Sequence, residues 1–246
     1  MKCVILAAGI SSRLYPLTSS TPKCLLTVGK YTILERTIRN VLRHDVTEFV
    51  IVTGFCANMI GELVHKVFPS LRVQFVFNKR FAETNNSYSL ALSQTALCSD
   101  AMLLLDSDIV FDHRILSRVL EAPYENCLAV RRTEDYDEEE IKVTVDRKGR
   151  VLRIGKDVDK SSVLGESIGI EKFSSSGSLK LFDVLQQRVH NEEGEREFYE
   201  ALFQQLIDSS VSIYAVDVQN LPCIEIDTFD DLRKARDQIA VQLDGE

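Results

Sequence analysis

The feature that most constrains this chain is an alternation, repeated four times in its first half, between short apolar runs and segments whose apolar residues fall at helical spacing. Cys3 to Ala7 is apolar throughout, as expected of a strand buried on both faces. Ile33, Leu34, Ile38, Val41 and Leu42 predict a helix near residues 32–43. Phe49 to Thr53 reads as a second strand, and Met59, Leu63, Val64 and Val67 as a helix stopped by Pro69. Val73 to Phe77 is a third strand, followed by a helix from Tyr88 to Leu97 that Asn85 or Asn86 can cap. Ala101 to Leu105 is the fourth strand; it runs into Asp106-Ser107-Asp108, and Leu116, Val119 and Leu120 mark a short helix beyond.

Such an alternation implies right-handed crossovers and a Rossmann-like three-layer α/β/α fold with a mostly parallel, mixed sheet. Ligands in such folds bind beyond the carboxyl ends of the strands. Residues 8–23 are rich in Ser, Thr, Gly and Pro, and both they and residues 106–108 follow strands. The two segments are therefore expected at one edge of the sheet.

The second half reads differently. Cys127 to Arg132, Lys142 to Val145 and Val151 to Ile154 are short strand-like runs, the last two joined by a hairpin turn over residues 146–150. Ser167 to Phe173 is another strand, helices follow near 176–188 and 196–208, strands at 212–217 and 223–226, and a last helix near 228–242. With no internal repeat and no flexible linker, residues 1–246 read as a single domain, with a half at 1–125 and a second at 126–246 that faces substrate.

Composition narrows the partners. The formal net charge of -8 argues against a nucleic acid or an anionic membrane surface. Two acidic runs, Glu134, Asp135, Asp137, Glu138, Glu139, Glu140 and Glu192, Glu193, Glu195, Glu197, Glu200, read as solvated faces. The six cysteines form no C-x-x-C pair and several lie in apolar runs, the pattern of buried thiols. No run reaches a membrane span, and the first apolar stretch is too short for a signal peptide, so a cytoplasmic location is expected.

Ala7, Ala8 and Gly9, after the first strand, have almost no side chains, so a ligand can approach the backbone. Their N–H groups, with Ser11 and Ser12, suit phosphate oxygens, and Arg13 and Lys23 add positive charge for a triphosphate. Neither a dinucleotide-binding glycine fingerprint nor a P-loop is present. The stretch resembles the signature loop of the sugar-1-phosphate nucleotidyltransferase superfamily. Leu6, Ala7, Ala8, Gly9, Ser12, Arg13, Leu14, Pro16, Leu17, Thr18, Pro22 and Lys23 stand at matching positions. Ser11 departs from it, replacing a glycine and restricting the backbone. The resemblance implies a fold of the nucleotide-diphospho-sugar transferase type, with nucleotide bound by residues 1–125 and acceptor by residues 126–246.

Two carboxylate pairs stand out: Asp106 and Asp108 end a buried strand-like run, and Glu225 and Asp227 fall on one face of a short strand. Mg2+ takes carboxylate, phosphate and water oxygens. The resemblance implies that Asp108 and Asp227 hold the ion, with Asp106 and Glu225 as further ligands or outer partners. The alternatives are that Asp108 shapes a strand-end turn and that Asp227 or Thr228 caps the last helix. Lys23, Arg13 and the cation would stabilise charge on the pyrophosphate leaving group, with no side-chain nucleophile. The four histidines, His44, His65, His113 and His190, have no central role in this scheme.

Thr84, Asn85, Asn86 and Ser87 open a helix and offer polar groups to a base edge; the resemblance places the base-selecting loop here, with capping as the alternative for the asparagines. The pattern looks like that of the small CTP:phosphocholine-type cytidylyltransferases. Lys142 and Lys156 are candidates for the acceptor phosphate, and Glu166 and Glu171 for an amine or hydroxyl. A quaternary ammonium favours a cage of aromatic rings. The chain has no Trp, and Cys223 stands where relatives often carry an aromatic residue, leaving Phe198, Tyr199 or Tyr214 as substitutes. The expected activity is Mg2+-dependent transfer of CMP from CTP to a small phosphorylated alcohol or amino-alcohol, with release of pyrophosphate. Its rivals are a sugar-1-phosphate nucleotidyltransferase using UTP, TTP or GTP, and a nucleotide-sensing scaffold of the same fold.

Overall fold

The computed structural model of the protein describes residues 1–133, 140–159, 162–189 and 192–245. Of the residues singled out above, Glu134, Asp135, Asp137, Glu138, Glu139 and His190 lie outside the described residues, as do the side chains of Glu192 and Glu193.

The first half contains β1 (Lys2–Ala7), β2 (Thr27–Val28), β3 (Tyr31–Thr32), α1 (Ile33–Leu42), β4 (Glu48–Thr53) and α2 (Ala57–Val67). It continues with β5 (Arg72–Phe77), α3 (Asn86–Leu92), α4 (Gln94–Leu97), β6 (Met102–Asp106), β7 (Ile109–Phe111) and α5 (Arg114–Glu121). The second half adds β8 (Cys127–Arg131), β9 (Lys142–Val145), β10 (Val151–Gly155), β11 (Gly165–Phe173), α6 (Ser175–Arg188), α7 (Glu192–Glu195) and α8 (Tyr199–Asp208). It ends with β12 (Tyr214–Asp217), β13 (Cys223–Glu225), α9 (Phe229–Lys234), a π-helical turn over Ala235–Ile239 and α10 (Ala240–Asp244).

Nine strands share one sheet in the order β10-β9-β11-β6-β1-β4-β5, with β8 paired to β11 and β12 to β8. The strands β6, β1, β4 and β5 run parallel. The long strand β11 lies antiparallel to both β6 and β8, and so joins the second half of the chain to the first. Leu6 pairs with Asp106 and Ala7 with Thr53, so β1, β4 and β6 end together at one edge.

The two-residue period of a strand decides the core. Cys3, Ile5, Phe49, Ile51, Leu103 and Leu105 face one layer, with Leu34, Ile38, Ile60 and Leu116 from the helices. Val4, Leu6, Val50, Val52, Met102 and Leu104 face the other, with Leu90, Leu181, Leu185 and Phe203. Each such side chain contributes about 1.5–3 kcal/mol by leaving water.

A third, smaller cluster joins Leu14 and Leu26 of the loop after β1 to Val110, Ile226, Leu232, Ala235 and Ala240. Asp244 closes this contact, accepting from the Lys30 N–H (2.8 Å) and from the Arg36 guanidinium (2.7 Å).

Two expected helices are interrupted. The segment expected over 88–97 divides at Ser93, whose hydroxyl donates to the Leu90 carbonyl at 2.6 Å and competes with the helical ladder. The segment expected over 228–242 contains the π-helical turn. Among the described residues, no helix is long and apolar enough to cross a membrane.

Candidate active site

The chain leaves β1 through Ala8 and Gly9 and enters a left-handed turn at Ser11, with φ 56° and ψ 52°. A glycine would take this conformation at less cost, so the serine keeps the turn under strain rather than changing it. The buried Thr18 hydroxyl holds it by donating to the Ser11 carbonyl at 2.7 Å. Fully buried Leu14 pins the loop from below. Gly9, Ser11 and Arg13 line a cleft of about 850 Å³ at the carboxyl edge of the sheet. Ser12 is not on its wall; its carbonyl accepts from the Tyr15 N–H.

Lys23, which follows Pro22, also lines the cleft, and its ammonium bridges two aspartates. Nζ lies 2.6 Å from Asp108 Oδ2 and 2.9 Å from Asp227 Oδ1. Arg13, largely exposed, reaches Asp227 Oδ2 at 3.0 Å. The two aspartates meet because β7 and β13 pair antiparallel, with Glu225 opposite Ile109. The Ile226 N–H also donates to the Asp108 carbonyl at 3.0 Å. Asp108, Glu225 and Asp227 each present a carboxylate oxygen within 4.8 Å of the others. Asp108 Oδ1 is buried without a hydrogen-bond partner.

Helix capping falls to Thr228. Its hydroxyl accepts from the Asp231 N–H, and the Asp231 carboxylate accepts in return from the Thr228 N–H, a complete capping box. The Asp227 carboxylate is thereby left to face Lys23 and Arg13.

The charges polarise one another. Burial disfavours a charged Lys23, but the charges of Asp108 and Asp227 outweigh it and push its pKa up. Burial likewise raises Asp227, but Lys23 and Arg13 outweigh it and hold the carboxyl below its ordinary value. Glu225 opens to the cleft, yet protein atoms crowd its carboxylate. That burial, with the charges of Asp108 and Asp227, pushes it up to about 9. Three hard oxygen donors with one orphaned buried oxygen fit a divalent cation such as Mg2+.

Asp106 ends β6 on the cleft wall, where its Oδ2 accepts from the Tyr199 hydroxyl at 2.8 Å. Burial, then the charges of Asp108 and Glu200, push its pKa up. Gly169 crosses beside it with φ 68°; a Cβ there would meet Asp106 Oδ2 at 2.5 Å. Glu171, on the next turn of the pleat, lies fully buried behind this wall and does not line the cleft. Tyr199 has one proton to give and gives it to Asp106, so both Glu171 oxygens are left without partners. Burial and the charges of Asp106 and Glu200 then push Glu171 up as well.

The 84–87 loop contributes to the same cleft as Lys23. Asn85 caps α3, accepting from the Asn86 N–H at 2.8 Å, and Asn86 Oδ1 accepts from the Tyr199 N–H at 2.9 Å. The Thr84 hydroxyl donates to the Arg80 carbonyl at 2.9 Å. Thr84, Asn85 and Asn86 line the cleft; Ser87 is buried and donates to the Gly194 carbonyl instead.

On the acceptor side the two expected lysines separate. Lys156 lines the cleft, its Nζ 4.8 Å from the centre of the Phe198 ring. Lys142 does not; it is 2% exposed, and its ammonium donates to the carbonyls of Glu140 (3.3 Å) and Lys156 (3.1 Å). Glu166 lines the cleft and pairs with Arg131 at 2.6 Å. Of the aromatic substitutes, Phe198 lines the cleft, Tyr199 is buried behind it, and Tyr214 stacks on Tyr124 at 4.1 Å.

Among the cleft residues that the sequence reading gives no site role are Phe81, Arg131 and Glu200, whereas Phe198, an aromatic candidate there, does take a cleft-lining position. Arg131 was findable, since it ends an apolar strand run as Asp106 does, and β8 runs in the same direction as β6. Glu200 is one glutamate among several in an acidic stretch, and no local signal separates it from its neighbours.

The profile of the MobA-like NTP transferase domain matches residues 3–238. The chain is 33% identical over 132 residues to CMP-5'-(3-aminopropyl)phosphonate synthase of Streptomyces rubellomurinus, a match covering 54% of this chain and 21% of that protein. It is 33% identical over 107 residues to choline-phosphate cytidylyltransferase of Streptococcus pneumoniae, covering 44% of this chain and 45% of the other. These alignments therefore span less than half the length of either curated relative. The solved structure of CTP:phosphocholine cytidylyltransferase from Streptococcus pneumoniae superposes with a TM-score of 0.79 at 23% identity, over 97% of this chain and 98% of that one. That likeness shows the shared fold.

Proposed function

The chain belongs to the MobA-like NTP transferase domain family, and from that premise we propose that it transfers CMP from CTP to a small phosphorylated or phosphonate-bearing amino-alcohol, releasing pyrophosphate. The observation that carries the reading is the meeting of Lys23 and Arg13 with Asp108, Glu225 and Asp227 in one cleft with the 84–87 loop. The choice of cytidine is supported by that loop and by the two relatives, whose names specify CMP or cytidylyl transfer. Residues 1–125 bind the nucleotide and residues 126–246 the acceptor, within one domain.

In this mechanism an acceptor phosphate oxygen forms the new bond to the α-phosphorus of CTP, and the bond from that phosphorus to the pyrophosphate oxygen breaks. The acceptor oxygen is already ionised near neutral pH, so no general base is required. Backbone groups from Leu6 through Gly9 and at Ser11 cradle the triphosphate, with Arg13 reaching over it and Ser12 behind the turn. Lys23, kept protonated by its two aspartates, holds positive charge where the departing pyrophosphate gathers negative charge. Asp108, Asp227 and Glu225 would hold Mg2+, which when bound neutralises phosphate charge and orients the reacting oxygens. Thr84, Asn85 and Asn86 face the base, Asp106 and Ser87 brace the pocket around it, and Lys156 reaches the acceptor phosphate. Lys142 and Glu171, the other acceptor candidates, support the wall from behind.

The test is pyrophosphate release from each of CTP, UTP, GTP, ATP and TTP with Mg2+ and a set of phosphorylated amino-alcohols. CTP should be used with at least a tenfold preference in kcat/KM, roughly what one lost base contact costs. A preference for UTP or GTP would overturn the cytidine assignment. In Asp108→Ala turnover should vanish while the fold persists, and wild-type turnover in that variant would place the active site elsewhere.

A further inference from the structure

One cation of the cleft has no part in the scheme above. Lys234 ends α9, is exposed, and lines the cleft together with Asp227, Thr228 and Asp231 from the head of the same helix. Its neighbours are held elsewhere: Arg233 pairs with Asp230 at 3.0 Å, and Arg236 Nε donates to the Thr27 carbonyl at 3.0 Å. Within the cleft, Arg13 and Lys23 are engaged by Asp227, and Arg131 by Glu166. The Asp231 carboxylate, one helical turn before Lys234, is taken up by the Thr228 capping box. Among the described residues, the Lys234 ammonium has no hydrogen-bond or ion-pair partner. A lysine in the last turn of a helix ordinarily complements the helix dipole. Here the backbone runs on through the π-helical turn Ala235–Ile239 into α10, so Lys234 has no helix terminus to complement. The π-helical turn instead sets its direction. Ala235 and Ala240 are both buried in the small cluster against the loop after β1. Residues five apart fall well over a third of a turn out of register on an α-helix, but one turn apart where bonds run i→i+5. The widened turn keeps both alanines against the loop while α9 presents Asp231 and Lys234 to the cleft.

We propose that Lys234 binds the outer phosphates of the nucleotide and, beside Arg13, makes the cleft select a triphosphate tail. This rests on the transfer reaction proposed above and adds a residue to its leaving-group side. Leu14, the residue after Arg13, packs in one cluster with Leu232 and Ala235, so Arg13 and Lys234 emerge from two elements in contact. Asp227, just before α9, belongs to the carboxylate group suited to a cation. Lys234 stands about 7.5 Å of helix rise beyond Phe229, the first residue of α9. Helical side chains lean toward the helix N-terminus, which aims the ammonium back along the axis toward Asp227 and Arg13. That is the reach needed for phosphates trailing away from a reacting α-phosphorus. The base and the acceptor are met by other elements, the 84–87 loop and the Lys156 side. A lysine offers a compact charge with three rotatable donors, which suits terminal phosphate oxygens that turn as pyrophosphate departs.

The experiment uses the full chain with Mg2+. Binding of CTP, CMP and inorganic pyrophosphate is measured by calorimetry, and kcat/KM for CTP with 2-aminoethyl phosphate as acceptor. The variants are Lys234→Gln, Lys234→Arg and, as a control that removes one charge from the same helix, Arg233→Gln. In Lys234→Gln the affinity for CTP and for pyrophosphate should fall about 10-fold, the worth of one charge-assisted hydrogen bond, while CMP binds as before. The kcat/KM for CTP should fall by a similar factor and the KM for the acceptor should hold. Lys234→Arg should keep most of the affinity, and Arg233→Gln all of it. Wild-type binding of CTP and pyrophosphate by Lys234→Gln would overturn the proposal. So would equal weakening of CMP and CTP, or a loss in Arg233→Gln as large as in Lys234→Gln. The same dependence on Lys234 with UTP or ATP in place of CTP would support it, since the outer phosphates are common to all three. Lys234-dependent binding of CTP with no transfer to any acceptor would sink the transfer reaction and leave the phosphate contact standing.

Discussion

The ammonium of Lys23 lies 2.9 Å from the Asp227 carboxylate, across 204 residues of sequence, and the same ammonium lies 2.6 Å from Asp108. The protein thus carries its own cation between carboxylates that would otherwise repel one another. In Lys23→Met that cation is gone. Turnover should fall about 100- to 1000-fold, as for loss of a group that stabilises developing charge. The melting temperature in EDTA should also fall, and Mg2+ should restore more of it than in the wild type. A variant whose melting is indifferent to Mg2+ would argue that these carboxylates hold no divalent ion.

Glu200 lines the cleft at a cost to stability. Burial pushes its carboxyl from 4.5 up to about 7. The folded protein therefore keeps a proton that the unfolded chain releases between these values. Its contribution to stability is complete below pH 4.5 and is lost as pH rises through 7. Glu200→Gln should accordingly be more stable than the wild type at pH 8, by on the order of 1–3 kcal/mol, and no more stable at pH 4.5. Denaturant titrations at the two pH values check this, and a gain of equal size at both would show that ionisation is not its source.

Ser11 holds a left-handed conformation with φ 56°. Replacing it with glycine should relieve steric cost at the expense of unfolded-state entropy, with a net gain of about 0.5–1 kcal/mol. Urea unfolding of Ser11→Gly measures it; a loss of stability would mean that the serine makes a compensating contact.

Gly169→Ala should act in the opposite sense. The new Cβ would sit 2.5 Å from Asp106 Oδ2 on a backbone with φ 68°. A loss of about 1–3 kcal/mol is expected, together with a drop in turnover as Asp106 and Tyr199 are pushed apart. Unchanged melting would show that Asp106 can move aside freely.

The parts of this architecture legible in the sequence are those fixed by local periodicity. β1, β4 and β6 are covered on both faces, so each reads as an unbroken apolar run, and their shared carboxyl edge places residues 8–23 beside Asp108. Which of Asp227 and Thr228 caps the helix was not decidable locally; the capping box falls to Thr228, and Lys23, distant in sequence, pairs with Asp227. Lys142 starts a short strand, a position suited to a ligand-binding lysine. Only the pairing of β9 with β10 reveals that its ammonium is held by backbone carbonyls. Glu200 was hidden for the same reason: its burial arises from how α8 packs against the sheet, a contact that no spacing rule encodes.

The cluster that ties Leu14 to Ala235 and Ala240, locked by Asp244 on Arg36, gives the far end of the chain a say in events at its beginning. The loop after β1, proposed above to cradle phosphate, is only as rigid as the final helix packed against it. Wear at the tail, such as Asp244→Asn, should register first as a slackened grip on nucleotide, well before the rest of the molecule gives way.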